Sequence, residues 1–191
     1  MKIIDTHSHL WLKQDTSWNG MPIRSLKNGR SIFLGDEVQM IPPFMIDGVN
    51  SAEVFLSNMN YAQVSAAVVV QELIDGCQNE YLLQVAKQYP DRFITCGMCD
   101  YFVDDLSGQV QSLISKGFKG IAIPGHRLIL DDMRVMLASP QMIEMFKIME
   151  KEGVFLSITL ADGDAQVGEM KTVIQECPDL KIAIGHFGMP T

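Results

Sequence analysis

Cysteine is scarce in this chain: four among 191 residues, at positions 77, 96, 99 and 177. The one close pair, Cys96-Gly-Met-Cys99, has the C-x-x-C spacing of redox and zinc motifs. It follows Phe93-Ile94-Thr95, which reads as a strand, and on a strand residues three apart point to opposite faces. No second cysteine pair completes a zinc site, so the pair reads as two small buried residues. Basic residues are also in deficit, 15 Lys and Arg against 23 Asp and Glu, for a formal net charge of −8. That balance argues against binding nucleic acid over a broad surface. No run approaches the ~18 apolar residues that span a bilayer. Met1-Lys2 leads straight into Ile3-Ile4-Asp5, with no secretory leader pattern. The expectation is a cytoplasmic protein with reduced thiols and no membrane partner. A hydrophobic content of 47% with 20% charged residues and a mean hydropathy of +0.11 describe a globular chain able to bury a core.

Strand and helix patterns alternate from end to end. Ala66 to Val70 is a continuous apolar run, as expected of a strand buried on both faces. Phe93–Cys96, Gly120–Ile123, Val154–Thr159 and Lys181–Gly185 read as further strands, and Ile3-Ile4-Asp5 opens the first. Between them lie helical stripes. Asn50-Ser-Ala-Glu53 resembles a capping box ahead of Val54, Phe55, Met59 and Ala62. Asn79 is placed to cap a helix carrying Leu82, Val85 and Ala86. Leu106, Val110, Leu113 and Ile114 form a stripe closed by Gly117. Ser139-Pro140 starts a helix that ends at Gly153, and its methionines 142, 145 and 149 read as packing. Val167, Met170 and Ile174 mark a fifth helix. Repeated βα units imply a parallel sheet covered by helices. An open nucleotide-binding sheet carries a glycine-rich turn after its first strand; this chain has His7-Ser-His9 there, and a (β/α)₈ barrel is the competing architecture.

Residues 13 to 50 break the rhythm with Pro22, Pro42, Pro43 and glycines at 20, 29, 35 and 48. A stretch of this length in a compact domain reads as a lid or binding loop. It is expected to lie over a pocket and to be mobile without ligand. Lys13, Arg24, Lys27 and Arg30 face only Asp15 within residues 13–30, which suggests an anionic substrate.

The strongest chemical signal is Asp5-Thr6-His7-Ser8-His9. With a side-chain period of two, His7 and His9 share a face with Asp5 and can converge on one divalent metal. They sit at the C-terminal end of the first strand, where βα folds collect their chemistry. His186, in Ile184-Gly-His-Phe-Gly188, ends the sixth strand and is a candidate third ligand or general acid/base. His126 and Arg127, after the fourth strand, can bind a carboxylate or phosphate. Gln71 and Asp100 are possible substrate contacts, and Asp162 also lies near a strand end.

Ile4-Asp-Thr-His-Ser-His-Leu-Trp11 resembles the opening of the amidohydrolase-related family, which includes sugar lactonases and aromatic-acid decarboxylases. Gly185-His-Phe-Gly-Met-Pro190 is similar to that family's sixth-strand histidine motif. The resemblance covers nearly the whole chain in element order. It implies an α/β fold of the TIM type, a (β/α)₈ barrel incomplete here with about six βα units. On this reading residues 1–191 are one barrel domain lacking its last units, with 13–50 as the lid-like insertion. It further implies His7 and His9 as the metal pair, with zinc as the expected ion, and His186 as third ligand or catalytic acid/base; Gln71, His126 and Arg127, read from their places near strand ends, are the candidate substrate-binding residues. Where many relatives place a histidine after strand five, this sequence reads Ser157-Ile-Thr-Leu-Ala-Asp162, and no eighth-strand aspartate follows. Metal binding by this chain alone is therefore expected to be weak or absent.

The implied activity is hydrolysis of a lactone, ester or amide of a small anionic substrate. The alternatives are non-oxidative decarboxylation of an aromatic acid, for which Trp11, Trp18 and Phe44 suit a ring, or an inactive fragment. Unpaired strand edges lead to the expectation of a homo-oligomer.

Overall fold

The computed structural model describes residues 2–12, 14–18, 20–45, 47–129, 134–161 and 164–188. Lys13, Asp162, Met189 and Pro190, which figure in the sequence reading, lie outside them. The chain gathers into two compact units, Met1–Ile94 and Thr95–Thr191.

In the first unit β1 (Ile3–His9) pairs in parallel with β6 (Val64–Val70). Between them the chain forms four short strands, β2 (Asp15–Trp18), β3 (Met21–Ser25), β4 (Arg30–Phe33) and β5 (Asp36–Gln39). These pair antiparallel in the order β2-β3-β4-β5. Within the stretch read as a lid-like insertion, the four strands between residues 15 and 39 thus form a sheet. Its turns explain why: Asn28 and Gly29 have φ of 58° and 71°, and Leu34 and Gly35 have 53° and 95°. Two consecutive positive φ values make the type I′ turns that suit two-residue hairpins. Gly29 has a second constraint, because a Cβ there would lie 2.4 Å from the Ile41 carbonyl oxygen and 2.6 Å from that of Pro42.

α1 (Ala52–Tyr61) follows, capped by Ser51, whose hydroxyl accepts from Val54 N–H. The cap is thus one residue later than the capping box placed it. Asn50 instead pairs its backbone with Trp11, with N–H to carbonyl distances of 2.9 and 3.0 Å. α2 (Asn79–Gln88) includes Asn79 as its first residue and takes Gln78 as its cap position. Asn79 is therefore not the cap the sequence suggested.

The second unit holds β7 (Phe93–Gly97, beginning just before the division), β8 (Gly120–Pro124), β9 (Phe155–Thr159) and β10 (Ile182–Ile184). β8 pairs in parallel with β7 and β9, and β9 with β10. α3 (Leu106–Lys116), α4 (Pro140–Glu152) and α5 (Val167–Glu176) connect them. α3 and α4 both end on a glycine in the left-handed region, Gly117 and Gly153. Met142, Met145 and Met149 are fully buried on α4, as packing residues. Glu169, buried on α5, accepts from Arg134 at 2.7 Å and so holds the segment before α4. The chain therefore has the α/β class and six successive βα-type strands of an incomplete (β/α)₈ barrel.

Cys96 and Cys99 are both buried thiols, not joined in a disulfide. A Cβ on Gly120 would lie 2.7 Å from Cys96 Sγ, so that glycine leaves room for the thiol. Burial pushes the Cys96 thiol up to about 12. A thiol reagent is expected to modify exposed Cys77 quickly and Cys96 only on unfolding, because the reactive species is the thiolate; mass spectrometry of the labelled peptides checks this. Gly29→Ala is expected to destabilise the chain by about 2 kcal/mol or more, from the positive φ and the carbonyl clash together, read from denaturant melts.

Candidate functional site

β1 and β6 are out of step by one residue between Asp5 and Ser8: Asp5 lies opposite Ala67, and Ser8 opposite Val69. The extra residue is a bulge, a feature that re-aims side chains near functional sites. Ser8 turns inward and its hydroxyl donates to the Val68 carbonyl at 2.9 Å. His7 and His9 turn the other way and meet, with Nε2 to Nε2 at 3.3 Å and ring centroids 5.1 Å apart. Asp5 accepts from the His7 backbone N–H at 3.1 Å.

Two imidazole nitrogens bound 2.0–2.1 Å from one tetrahedral ion would stand ~3.3 Å apart. The observed separation fits two positions of such a site. Among the described residues no group of three or more His, Cys, Asp or Glu completes it. The His7–His9 pair by itself therefore fits two positions, half of such a site.

A cavity of about 250 Å³ adjoins His9. Trp11 lines it from the end of β1, Gln14 from the start of the insertion, Met40 and Ile41 from its end, and Glu72, Ile74 and Asp75 from the segment after β6. Trp11 is fixed by donating to the Gly48 carbonyl at 2.9 Å. Gln14, 2% exposed, is the node of this wall. Its Nε2 donates to Asp75 Oδ1 at 2.6 Å, and its Oε1 accepts from Ser31 on β4. Thr16 on β2 also donates to the Ile74 carbonyl. Gln14, Glu72 and Asp75 were not singled out by the sequence reading; Asn28-Gly29, a strong hairpin signal, was the cue that the insertion is a built wall.

The lid arginines do not form a free basic surface. Arg24 pairs with Asp15 at 3.2 Å and Arg30 with Glu37 at 2.9 Å, all four side chains well exposed. Phe44 is 68% exposed and, unlike Trp11, does not line the cavity. Gln71 is buried directly after β6; its Nε2 donates to Asn79 and its Oε1 accepts from Gln78 N–H, both at 2.7 Å, so its amide organises the start of α2. In the second unit His126 and Arg127 form a 3-10 turn immediately after β8. Buried Gln166 holds that turn, donating to Gly125 O at 3.0 Å and accepting from Ala161 N–H at 2.8 Å. Asp100 is exposed and accepts from Phe102 N–H. His186 follows β10 in a turn with φ of 51°, and is exposed.

Burial pushes the Asp75 carboxyl from near 3.8 up to about 6, with the Gln14 bond opposing and nearby Glu72 assisting. Between these values the folded chain keeps a proton that the unfolded chain releases. Folding stability therefore falls as pH rises through this window, and the charging cost is fully present above pH 6. Asp75→Asn keeps an acceptor for Gln14 and removes that charge. Relative to the parent, its melting temperature is expected to rise between pH 4 and pH 8, by an amount reflecting about 1–3 kcal/mol; thermal melts across that range read it directly.

No curated protein matches this chain. Among solved structures, a probable 2-pyrone-4,6-dicarboxylic acid hydrolase from Acinetobacter baumannii with citric acid bound is similar at a TM-score of 0.65 and 20% identity, over 98% of this chain and 59% of that one. The 2,6-dihydroxybenzoate decarboxylase from Rhizobium is similar at 0.63 and 14%, over 98% and 67%. A 5-carboxyvanillate decarboxylase from Novosphingobium aromaticivorans, complexed with manganese and 4-hydroxy-3-methoxy-5-nitrobenzoic acid, is similar at 0.51 and 19%, over 70% and 49%. At these identities the likeness establishes the fold, and this chain spans 59% of the length of the first of them. The amidohydrolase sequence profile matches residues 4–191, and the chain belongs to the amidohydrolase family.

Proposed function

We propose that this chain carries the first-strand half of a metal-assisted hydrolase site acting on a lactone, ester or amide of a small anionic substrate. The observation that carries the reading is the His7–His9 pair, whose Nε2 atoms stand 3.3 Å apart at the end of β1 beside a cavity. His7 and His9 would hold a divalent cation, zinc or manganese, which when bound supplies an activated water and polarises a carbonyl. Asp5 orders the strand by accepting from His7 N–H. We assign His186 the proton transfer, since an imidazole ring can both accept and donate a proton. Arg127 and His126 are assigned the substrate carboxylate, for which a guanidinium offers a two-point fork. Gln71 is assigned a contact through the turn it holds.

Decarboxylation of an aromatic acid is the second reading, supported by Trp11 in the cavity wall and by the two decarboxylases of like fold. The four cysteines, none of them in a disulfide, are compatible with a reducing compartment, and no helix among the described residues is long and apolar enough to cross a membrane. We also propose self-association, since Ile184 and Phe187 at the end of β10 are exposed apolar side chains.

Calorimetric titration of the chain with manganese and with zinc tests the metal half. Weak binding that drops a further ~10-fold or more in His9→Ala is expected; unchanged affinity in both His7→Ala and His9→Ala would remove the pair from the site. Assays of lactone opening and of carbon dioxide release from hydroxybenzoates then separate hydrolase from decarboxylase.

A further inference from the structure

The cavity beside His9 has a chemical character of its own. Trp11, Met40, Ile41 and Ile74 give it apolar walls, and its polar side is formed by Glu72 and Asp75. Among the described residues that line it, none is Lys or Arg. The arginines of the insertion are committed to Asp15 and Glu37. Glu72 accepts from Leu73 N–H at 2.8 Å and Asp75 Oδ1 from Gln14 at 2.6 Å. A carboxylate offers about four acceptor positions, and Gln14 takes one of those on Asp75. A second carboxylate brought into such a space meets like charge in a poorly solvated setting. A hydroxyl meets an acceptor. About 250 Å³ lies below the ~300–1,000 Å³ of pockets that enclose whole ligands, and it suits a ring-sized portion of one.

We infer that this cavity is a specificity subsite for the uncharged, hydroxyl-bearing end of the substrate, and that Asp75 is the residue that selects it. The inference rests on the reading of His9 as part of the site and deepens it. The anionic end of the substrate is directed away from the insertion, and Gln14 acts as a positioning residue that holds the Asp75 carboxylate toward the cavity. A site built to bond a hydroxyl discriminates strongly against the analogue that lacks one.

Equilibrium dialysis of the full chain at pH 7.5 with phenol, anisole and benzoate as probes tests this. Phenol is expected to bind ~10-fold or more tighter than anisole, as befits a hydrogen bond to a charged acceptor, with benzoate the weakest. Asp75→Asn keeps the acceptor for Gln14 and places an amide donor where the second oxygen stood. It is expected to shrink the phenol-over-anisole ratio at least several-fold and to raise benzoate binding. Ile41→Trp, which fills the cavity, is expected to abolish phenol binding. Equal binding of phenol and anisole to the parent chain overturns the inference, whatever the variants do. So does a ratio unchanged in Asp75→Asn, or phenol binding that survives Ile41→Trp. None of these readouts needs metal or turnover. A chain that opens lactones without preferring phenol defeats the subsite alone, and one that prefers phenol without turning over defeats the hydrolase reading alone.

Discussion

β1 lies beside β6 in parallel, and between Asp5 and Ser8 it uses three steps against two. That mismatch governs the first unit. It keeps Ser8 buried against Val68 and leaves His7 and His9 on the opposite face, with their Nε2 atoms in mutual reach. A strand with strict alternation places residues i and i+2 on one face but ~6–7 Å apart along the chain. Closing the imidazole nitrogens to 3.3 Å takes side-chain convergence as well as a shared face. β6, buried over Ala67, Val69 and Val70, supplies the rigid partner against which this happens.

The insertion serves the same end by a different route. The excursion over residues 13–50 has strands only four or five residues long, with Ile23 a fully buried apolar side chain. It is attached to the rest of the first unit by hydrogen bonds of Gln14 to Asp75, Thr16 to the Ile74 carbonyl and Trp11 to the Gly48 carbonyl, while Ser31 to Gln14 and Ser25 to Gly48 brace the insertion itself. Each is favourable because the alternative is a polar group out of water without a partner. The surface ion pairs Arg24–Asp15 and Arg30–Glu37 add little stability at their exposure, but they neutralise the charge that the bare sequence presents as a basic lid. The wall beside His9 is acidic and apolar, its carboxylates being Glu72 and Asp75 from the segment after β6.

The second unit repeats a simpler design, parallel strands with glycine-stopped helices. Its turn after β8 is held by a single buried amide, Gln166, packed so closely that a Cβ on Gly125 would lie 3.1 Å from its Oε1. Gly120 makes way for Cys96 in the same manner. In both places a small residue in one βα unit is matched to a polar or sulfur-bearing side chain in another, which secures packing where backbone pairing alone leaves a gap.

The amino-acid sequence by itself determined the alternation of strands and helices, the stops at Gly117 and Gly153, the buried methionine stripe and the His7-Ser-His9 signal. All of these are local: they follow from side-chain periodicity, from the freedom of glycine to take a positive φ, and from two-residue spacing on a strand. The cap at Ser51 in place of Asn50 depended on a partner far along the chain, Trp11, whereas Gln71 orders α2 through the nearby Gln78 and Asn79, and the strands within residues 13–50 pair with their sequence neighbours. Tertiary structure alone decided that Gln14 and Asp75, 61 residues apart, meet beside His9. It also decided that the insertion meets, at the cavity, the carboxylates of Glu72 and Asp75 from the segment after β6. No periodicity encodes which buried polar groups will find one another, because that choice is made by the requirement that each be satisfied once the backbone has closed around it.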